Sequence, residues 1–265
     1  LLKKADINQL DCLSQSIMTT DTHPKKISRT LVLDGEEIKI VGIAKGAGMI
    51  EPNMATMLAF ILTDAKINSI NLQTALKDAV DHSFNRITID GDQSTNDSVL
   101  ILANGAANQE ELTSSSEDWS VFTKALHEIC FELAMMIVHD GEGADRFVTL
   151  HVTGAVSNQE ADAAARSVAN SLLNKTAWAG SYPDWGRIMD AIGYSSAKII
   201  EENTNIFYGD VQAAKNGCQS AVDHKDLVSA VSAKELLINV DLGLGKGSAV
   251  IYTCNCTERY VRINY

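Results

Sequence analysis

Residues 45–58, Lys45-Gly-Ala-Gly-Met-Ile-Glu-Pro-Asn-Met-Ala-Thr-Met-Leu58, lead from a glycine-bearing loop into an apolar run. Gly46 and Gly48 permit backbone conformations that a Cβ disfavours, and Pro52 fixes one φ just before the run. Residues 57–62 then read as a buried strand, with Thr56 at the junction. A β-branched side chain has few rotamers, so the Thr56 hydroxyl can be held in one aim, while Ala55 leaves its own carbonyl sterically open. Two readings fit this spacing. In one, Thr56 caps a strand after a surface loop. In the other, its hydroxyl attacks the Ala55 carbonyl, the chain passes to an ester, and water releases a new chain that starts at Thr56. An α-amine titrates near pH ~8 when unperturbed. The freed amine can therefore take the proton of its own hydroxyl, one of the recognised nucleophile–base pairs.

Outward from this stretch, strand-like and helix-like segments alternate. Residues 30–33 and 38–41 flank Asp34-Gly35-Glu36, a hairpin signal. Helical spacing marks residues 5–18 (Ile7, Leu10, Leu13, Ile17), 68–83 (Ile70, Leu72, Leu76, Ala79, Val80), 117–139 and 158–173. Of these, the segment with Trp119, Phe122, Leu126, Ile129, Leu133, Met136 and Ile137 has the fullest apolar stripe. Gly141 is its expected C-terminal stop. Further strands are expected at 57–63, 85–89, 98–103, 147–152, 205–208, 236–240 and 249–252. The alternation predicts an α/β protein.

The totals exclude several function classes. At 45% hydrophobic and 21% charged residues the chain has a globular composition, and its formal charge of −12 argues against nonspecific nucleic-acid or anionic-membrane binding. No segment approaches the roughly 20 apolar residues of a membrane span. Five dispersed cysteines without a CxxC pair read as reduced thiols. Cys254 and Cys256 would share a face on a strand, but two thiolates make no metal site, and no metal or organic cofactor is expected. Asp90, Asp92, Ser94 and Asn96 alternate as a calcium loop begins, yet Thr95 occupies the glycine position and Ile101 the closing glutamate position. This segment is read instead as a polar loop. Residues 243–248 lack the GxxxxGK[ST] spacing of a phosphate loop and read as a turn.

Lys45-Gly-Ala-Gly-Met and Pro52-Asn-Met-Ala-Thr-Met-Leu58 closely resemble the ornithine acetyltransferase (glutamate N-acetyltransferase) family of arginine biosynthesis. The resemblance recurs in Ile17-Met-Thr-Thr-Asp-Thr22, residues 90–97, His139-Asp-Gly-Glu-Gly-Ala144, Trp185-Gly-Arg-Ile188 and Tyr260-Val-Arg-Ile-Asn264, in the family's order. It implies sheets layered between helices, the fold of these self-cleaving N-terminal-threonine enzymes. It also implies autoproteolysis between Ala55 and Thr56. Residues 1–55 would be the end of an alpha chain and 56–265 a beta chain, with two of each in a heterotetramer. Thr56 would be the nucleophile, and Thr19, Lys45, Thr56, Glu142 and Asn264 the substrate ligands. Lys45 would meet a ligand carboxylate and Glu142 an ammonium group. Without the resemblance these read as a turn threonine, a surface lysine and an exposed turn glutamate. His139 reads as a packed or capping residue, and Arg187 as a structural ion-pair partner left out of the site.

The activity implied is acetyl transfer from N2-acetylornithine to glutamate through an acetyl-threonine, releasing ornithine and N-acetylglutamate. Some relatives use acetyl-CoA as a second donor, a point the sequence leaves open. A bacterial cytoplasm or a mitochondrial matrix would suit the reaction. Two other classes remain: an amidohydrolase or aminopeptidase using the same threonine, and an unprocessed amino-acid binding protein. The family's oxyanion-hole Thr-Gly pair has no match after Leu1, and its terminal Thr or Ser ligand has none after Tyr265. Leu1-Leu2-Lys3-Lys4 opens directly into a helical pattern, so the chain is expected to begin partway through a longer polypeptide.

Overall fold

The computed structural model describes residues 10–51 and 57–265. It divides into two compact units, one taking the chain to Ile87 and then Asp92–Asp140, the other Thr88–Gly91 with Gly141–Tyr265. Both are α/β, each a sheet packed with helices.

The first unit is a four-stranded sheet in the order β1 (Lys25–Leu33), β2 (Glu36–Lys45), β3 (Leu58–Thr63), β4 (Ser98–Ala103). The first three strands are antiparallel, and β4 runs parallel to β3 after a crossover through helix α2 (Ser69–Asp81). Asp34 and Gly35, at φ 52° and 77°, form the expected two-residue hairpin. Helix α3 (Trp119–His139) buries Phe122, Leu126, Ile129, Leu133 and Ile137. A Cβ at Gly42 would stand 2.8 Å from side-chain atoms of Ile129 and Leu133, so this glycine lets α3 lie close on β2. The opposite face of the sheet exposes Val32, Leu62, Leu100 and Leu102.

The second unit is a six-stranded sheet in the order β10 (Gly247–Cys254), β5 (Phe147–Ala155), β9 (Glu235–Asp241), β6 (Asn205–Tyr208), β7 (Val211–Lys215), β8 (Cys218–Gln219). Only β5 and β9 pair in parallel. Helix α4 (Asn158–Asn170) lies on β10 and β5 through Ala161, Ala164, Ala165 and Val168, small side chains that allow a close approach. Helices α5 (Leu172–Ala179), α6 (Trp185–Gly193) and α7 (His224–Val231) complete this core with Trp178, Ile188 and Leu227. The last helix is α8 (Glu258–Ile263).

Several expectations need correction. Helix α1 spans Leu10–Ser16, but Leu13 is exposed and the helix buries Ser14; residues 5–9 lie outside the described residues. Ile70 is exposed on α2. Residues 84–86 form a 3-10 turn in place of a strand, because Asn85 Nδ2 and Arg86 Nε bond back to Asp81. The helix expected over 158–173 breaks at Ser171, whose extended backbone and side chain start α5 instead. Gly141 does not stop α3. Asp140 is the capping residue, with its N–H on the Met136 and Ile137 carbonyls, and Gly143 is the left-handed residue nearby. Cys256 lies beyond the end of β10, so it does not share a strand face with Cys254. β7, β8, α6, α7 and α8 lie where no element is expected from the sequence.

Candidate functional site

Thr56 and Ala55 lie outside the described residues. Met57, bonded covalently to Thr56, donates its N–H to the Asp97 carboxylate, and Leu58 opens β3 directly opposite Lys45 of β2. A cleft of about 360 Å³ beside Met57 is lined by Gln73, Lys77, Phe84, Asn85 and Asp97. Lys45 is only 7% exposed, and its ammonium has no ion-pair partner among the described residues.

Behind Lys45 lies a charged cluster with almost no solvent. Lys25 is fully buried, and its Nζ donates at 2.6 Å to both Asp21 Oδ1 and Asp140 Oδ2. Asp21 accepts in addition from the Gly46 N–H at 2.8 Å and the Thr19 N–H at 3.1 Å. Asp140 accepts from the Thr22 N–H and hydroxyl. Three charges satisfied in this way pin the segment bearing Thr19, the turn that follows Lys45, and the end of α3 to one another. Thr19 itself is exposed.

Burial pushes the Asp21 carboxyl up, but the bonds from Lys25, Gly46 and Thr19 and the Lys25 charge together hold it below its ordinary value. Its folded pKa is therefore lower than the unfolded one, which lies near ~3.9. Such a group contributes stability above the unfolded pKa and loses it as pH falls through the folded pKa. Asp21→Asn should accordingly lower the thermal midpoint at pH 7, with the gap to the parent narrowing below about pH 4. Melts from pH 7 to pH 3 measure this, and a gap constant over the range would contradict it.

In the second unit, Glu142 and Asn264 come together. Glu142 is 8% exposed, and its Oε2 accepts from Asn264 Nδ2 at 2.7 Å. The cause is the docking of α8. Thr257 caps that helix and donates its hydroxyl to the Gly143 carbonyl at 2.7 Å, while the Tyr260 hydroxyl reaches Asp90 Oδ2 at 3.1 Å. A Cβ on Gly143 would lie 2.5 Å from Tyr260 N, so the lack of a side chain there serves the approach of α8.

His139 is exposed, with Nδ1 on the Met135 carbonyl at 2.8 Å, in keeping with a capping role. Arg187 pairs with Asp184 at 3.0 Å and bonds the Leu173 carbonyl, as a structural partner should. All five cysteines are free thiols. Burial pushes the Cys130 thiol up to about 12, against a hydrogen bond with Ser83. Burial also raises Cys254. Neither suits a nucleophile. Asp97 and the Asp21–Lys25–Asp140 cluster were missed from the sequence. Asp21 stood inside a quoted motif, but nothing local links it to residue 140.

Comparison with known proteins identifies the family. A sequence model of the ArgJ family matches residues 2–265. The arginine biosynthesis bifunctional protein ArgJ of Oceanobacillus iheyensis is 44% identical over 265 residues, which are 99% of this chain and 65% of that protein. The protein of the same name from Geobacter sulfurreducens is 46% identical over 256 residues, again 65% of its length. The chain thus spans just under two thirds of the length of these relatives. A crystal structure of the arginine biosynthesis bifunctional protein argJ from Bacillus halodurans is similar with a TM-score of 0.74 and 41% identity, covering 79% of this chain and 99% of that one. With the family model matched over nearly every residue, the chain belongs to the ArgJ family.

Proposed function

We propose that this chain is part of a self-cleaving acetyltransferase that moves acetyl from N2-acetyl-L-ornithine to L-glutamate in arginine biosynthesis. Cleavage between Ala55 and Thr56 would leave residues 1–55 at the end of an alpha chain and 56–265 as a beta chain, the two staying associated with two copies of each. One observation carries the reading: the Asn-Met-Ala-Thr56-Met loop occurs in a chain of the ArgJ family. The Bacillus halodurans match adds the fold, at 41% identity over 79% of this chain.

In the mechanism, the Thr56 amine takes the proton from its own hydroxyl as the oxygen attacks the acetyl carbonyl of acetylornithine. The same amine returns that proton to the departing ornithine nitrogen. Glutamate then attacks the acetyl-threonine ester and regenerates the hydroxyl. Lys45, a buried cation paired in register with Leu58, would bind a substrate carboxylate as a charge-assisted pair. Thr19 would bind the same ligand. Glu142, held by Asn264, would take the amino group. The chemistry asks for no metal or organic cofactor, and the reaction suits the bacterial cytoplasm or a mitochondrial matrix. Among the described residues, no helix is long and apolar enough to cross a membrane.

Intact mass and N-terminal sequencing of freshly purified full-length protein test the cleavage. Two chains are expected, one beginning Thr56-Met57-Leu58, with acetylglutamate formed from acetylornithine only when glutamate is present. Acetate released without glutamate would mark a hydrolase, and a single uncut chain would refute the assignment.

A further inference from the structure

Helices α2 and α3 bring together three side chains that are remote in sequence and play no part in the proposed chemistry. Asp78 and His82 stand four residues apart at the end of α2, hence on one helix face. His127 comes from α3. One donor atom from each lies within 4.8 Å of the other two. His127 Nε2 is 2.8 Å from Asp78 Oδ2, His82 Nδ1 is 3.5 Å from Asp78 Oδ1, and the two imidazoles are 5.6 Å apart.

We propose that these residues form a surface site for one divalent late transition-metal ion of the zinc type. Two imidazoles and one carboxylate are the donor set such ions prefer, whereas calcium and magnesium take oxygen. In tetrahedral geometry with bonds of about 2.0–2.1 Å, donors sit roughly 3.3–3.5 Å apart. Donor atoms within 4.8 Å of one another would close to that spacing by rotation of the side chains, and exposure makes this cheap: the side chains of Asp78 and His82 are 62% and 67% exposed.

The backbones beneath are held firmly by the buried Leu76 and Ala79 of α2 and Leu126 and Ile129 of α3. His82 is also oriented for the task. Its Nδ1 lies 2.8 Å from the Asp78 carbonyl oxygen, which can only accept, so the proton sits on Nδ1 and the Nε2 lone pair is left for a metal. At His127 the metal takes the place of the proton that Nε2 shares with Asp78, and the neutral ring keeps its remaining proton on Nδ1. The fourth position faces solvent, where water would fill it. A bound ion joins α2 to α3 and should raise the melting midpoint increasingly as free metal exceeds its dissociation constant.

The test uses tag-free full-length protein stripped with chelator. The exposed thiols Cys12 and Cys218 also attract zinc, so the background carries Cys12→Ser and Cys218→Ser. Calorimetric titration with Zn²⁺ should show one saturable site per chain, and Co²⁺ should give the visible absorption of a four-coordinate centre. His127→Ala and, separately, the more exposed His82→Ala should each weaken binding about tenfold or more and remove the zinc-dependent rise in melting midpoint. Unchanged affinity in both variants, or no saturable binding in the parent, would overturn the site. Neither readout depends on acetyl transfer.

Discussion

Full-length protein carrying Lys25→Met should lose roughly 3–5 kcal/mol of stability in its first unit, the usual cost of removing one partner from a buried ion pair. The substitution keeps the apolar stem of the side chain and removes only the ammonium, which is 2.6 Å from each of Asp21 and Asp140. Two carboxylates with side chains 0% and 2% exposed would then face each other with only the half-exposed His23 imidazole, 3.3 Å from Asp140, beside them. Their remaining donors, the N–H groups of Thr19, Gly46 and Thr22 and the Thr22 hydroxyl, satisfy lone pairs but carry no charge. Amide hydrogen exchange along β1 and β2 reads the change directly, since 3 kcal/mol corresponds to exchange faster by about a hundredfold where opening is rate-determining by population. Combining Lys25→Met with Asp21→Asn should be much less than additive, because the first change already removes what the second depends on. A loss below about 1 kcal/mol, the range of exposed pairs, would mean that the cluster is solvated. The consequence for function follows from Asp21. Once it is unpaired, its hold on the Thr19 and Gly46 amides weakens, and two of the residues proposed to bind substrate, Thr19 and Lys45, lose a fixed position.

What could be read in the sequence divides along physical lines. Strands announce themselves as short apolar runs bounded by turn residues. β4 was bounded correctly at both ends, and the β1–β2 hairpin followed from Asp34-Gly35, where both residues take the left-handed conformation. Helix α3 was equally plain, since its 21 residues repeat an apolar stripe five times. Errors fell where side chains compete for the backbone. Asn85 and Arg86 turned an apparent strand into a 3-10 turn, and Ser171 cut one apparent helix into two. The site was legible as motifs and not as geometry. Glu142 and Asn264 were named separately, but their contact across 122 positions depends on how α8 docks against Gly143. Lys25 was read as nothing at all, because a lysine is normally solvated and its two partners lie 4 and 115 positions away.

Thr56→Ala should leave the full-length protein as one chain and lower acetyl transfer by on the order of 10⁴–10⁶-fold, the loss expected when a covalent nucleophile is removed. Both effects have one cause, the hydroxyl that attacks Ala55 once and acetylornithine thereafter. They can be separated by supplying the two pieces from separate genes, one ending at Ala55 and one encoding Met before Thr56. Removal of that methionine exposes the Thr56 amine without self-cleavage. Transfer should reappear in this pair and stay absent when the second piece carries Thr56→Ala. Thr56→Ser should cleave and transfer, but more slowly, because a side chain without β-branching populates more rotamers and is aimed less firmly. Met57 and Leu58 fix the backbone beside the nucleophile in all these variants through Asp97 and the pairing with Lys45. A difference between serine and threonine therefore reports the side chain and not a displaced strand. Acetyl transfer by the uncut Thr56→Ala protein at the parent's rate would remove Thr56 from the mechanism, and the amine of Thr56 from its role as base.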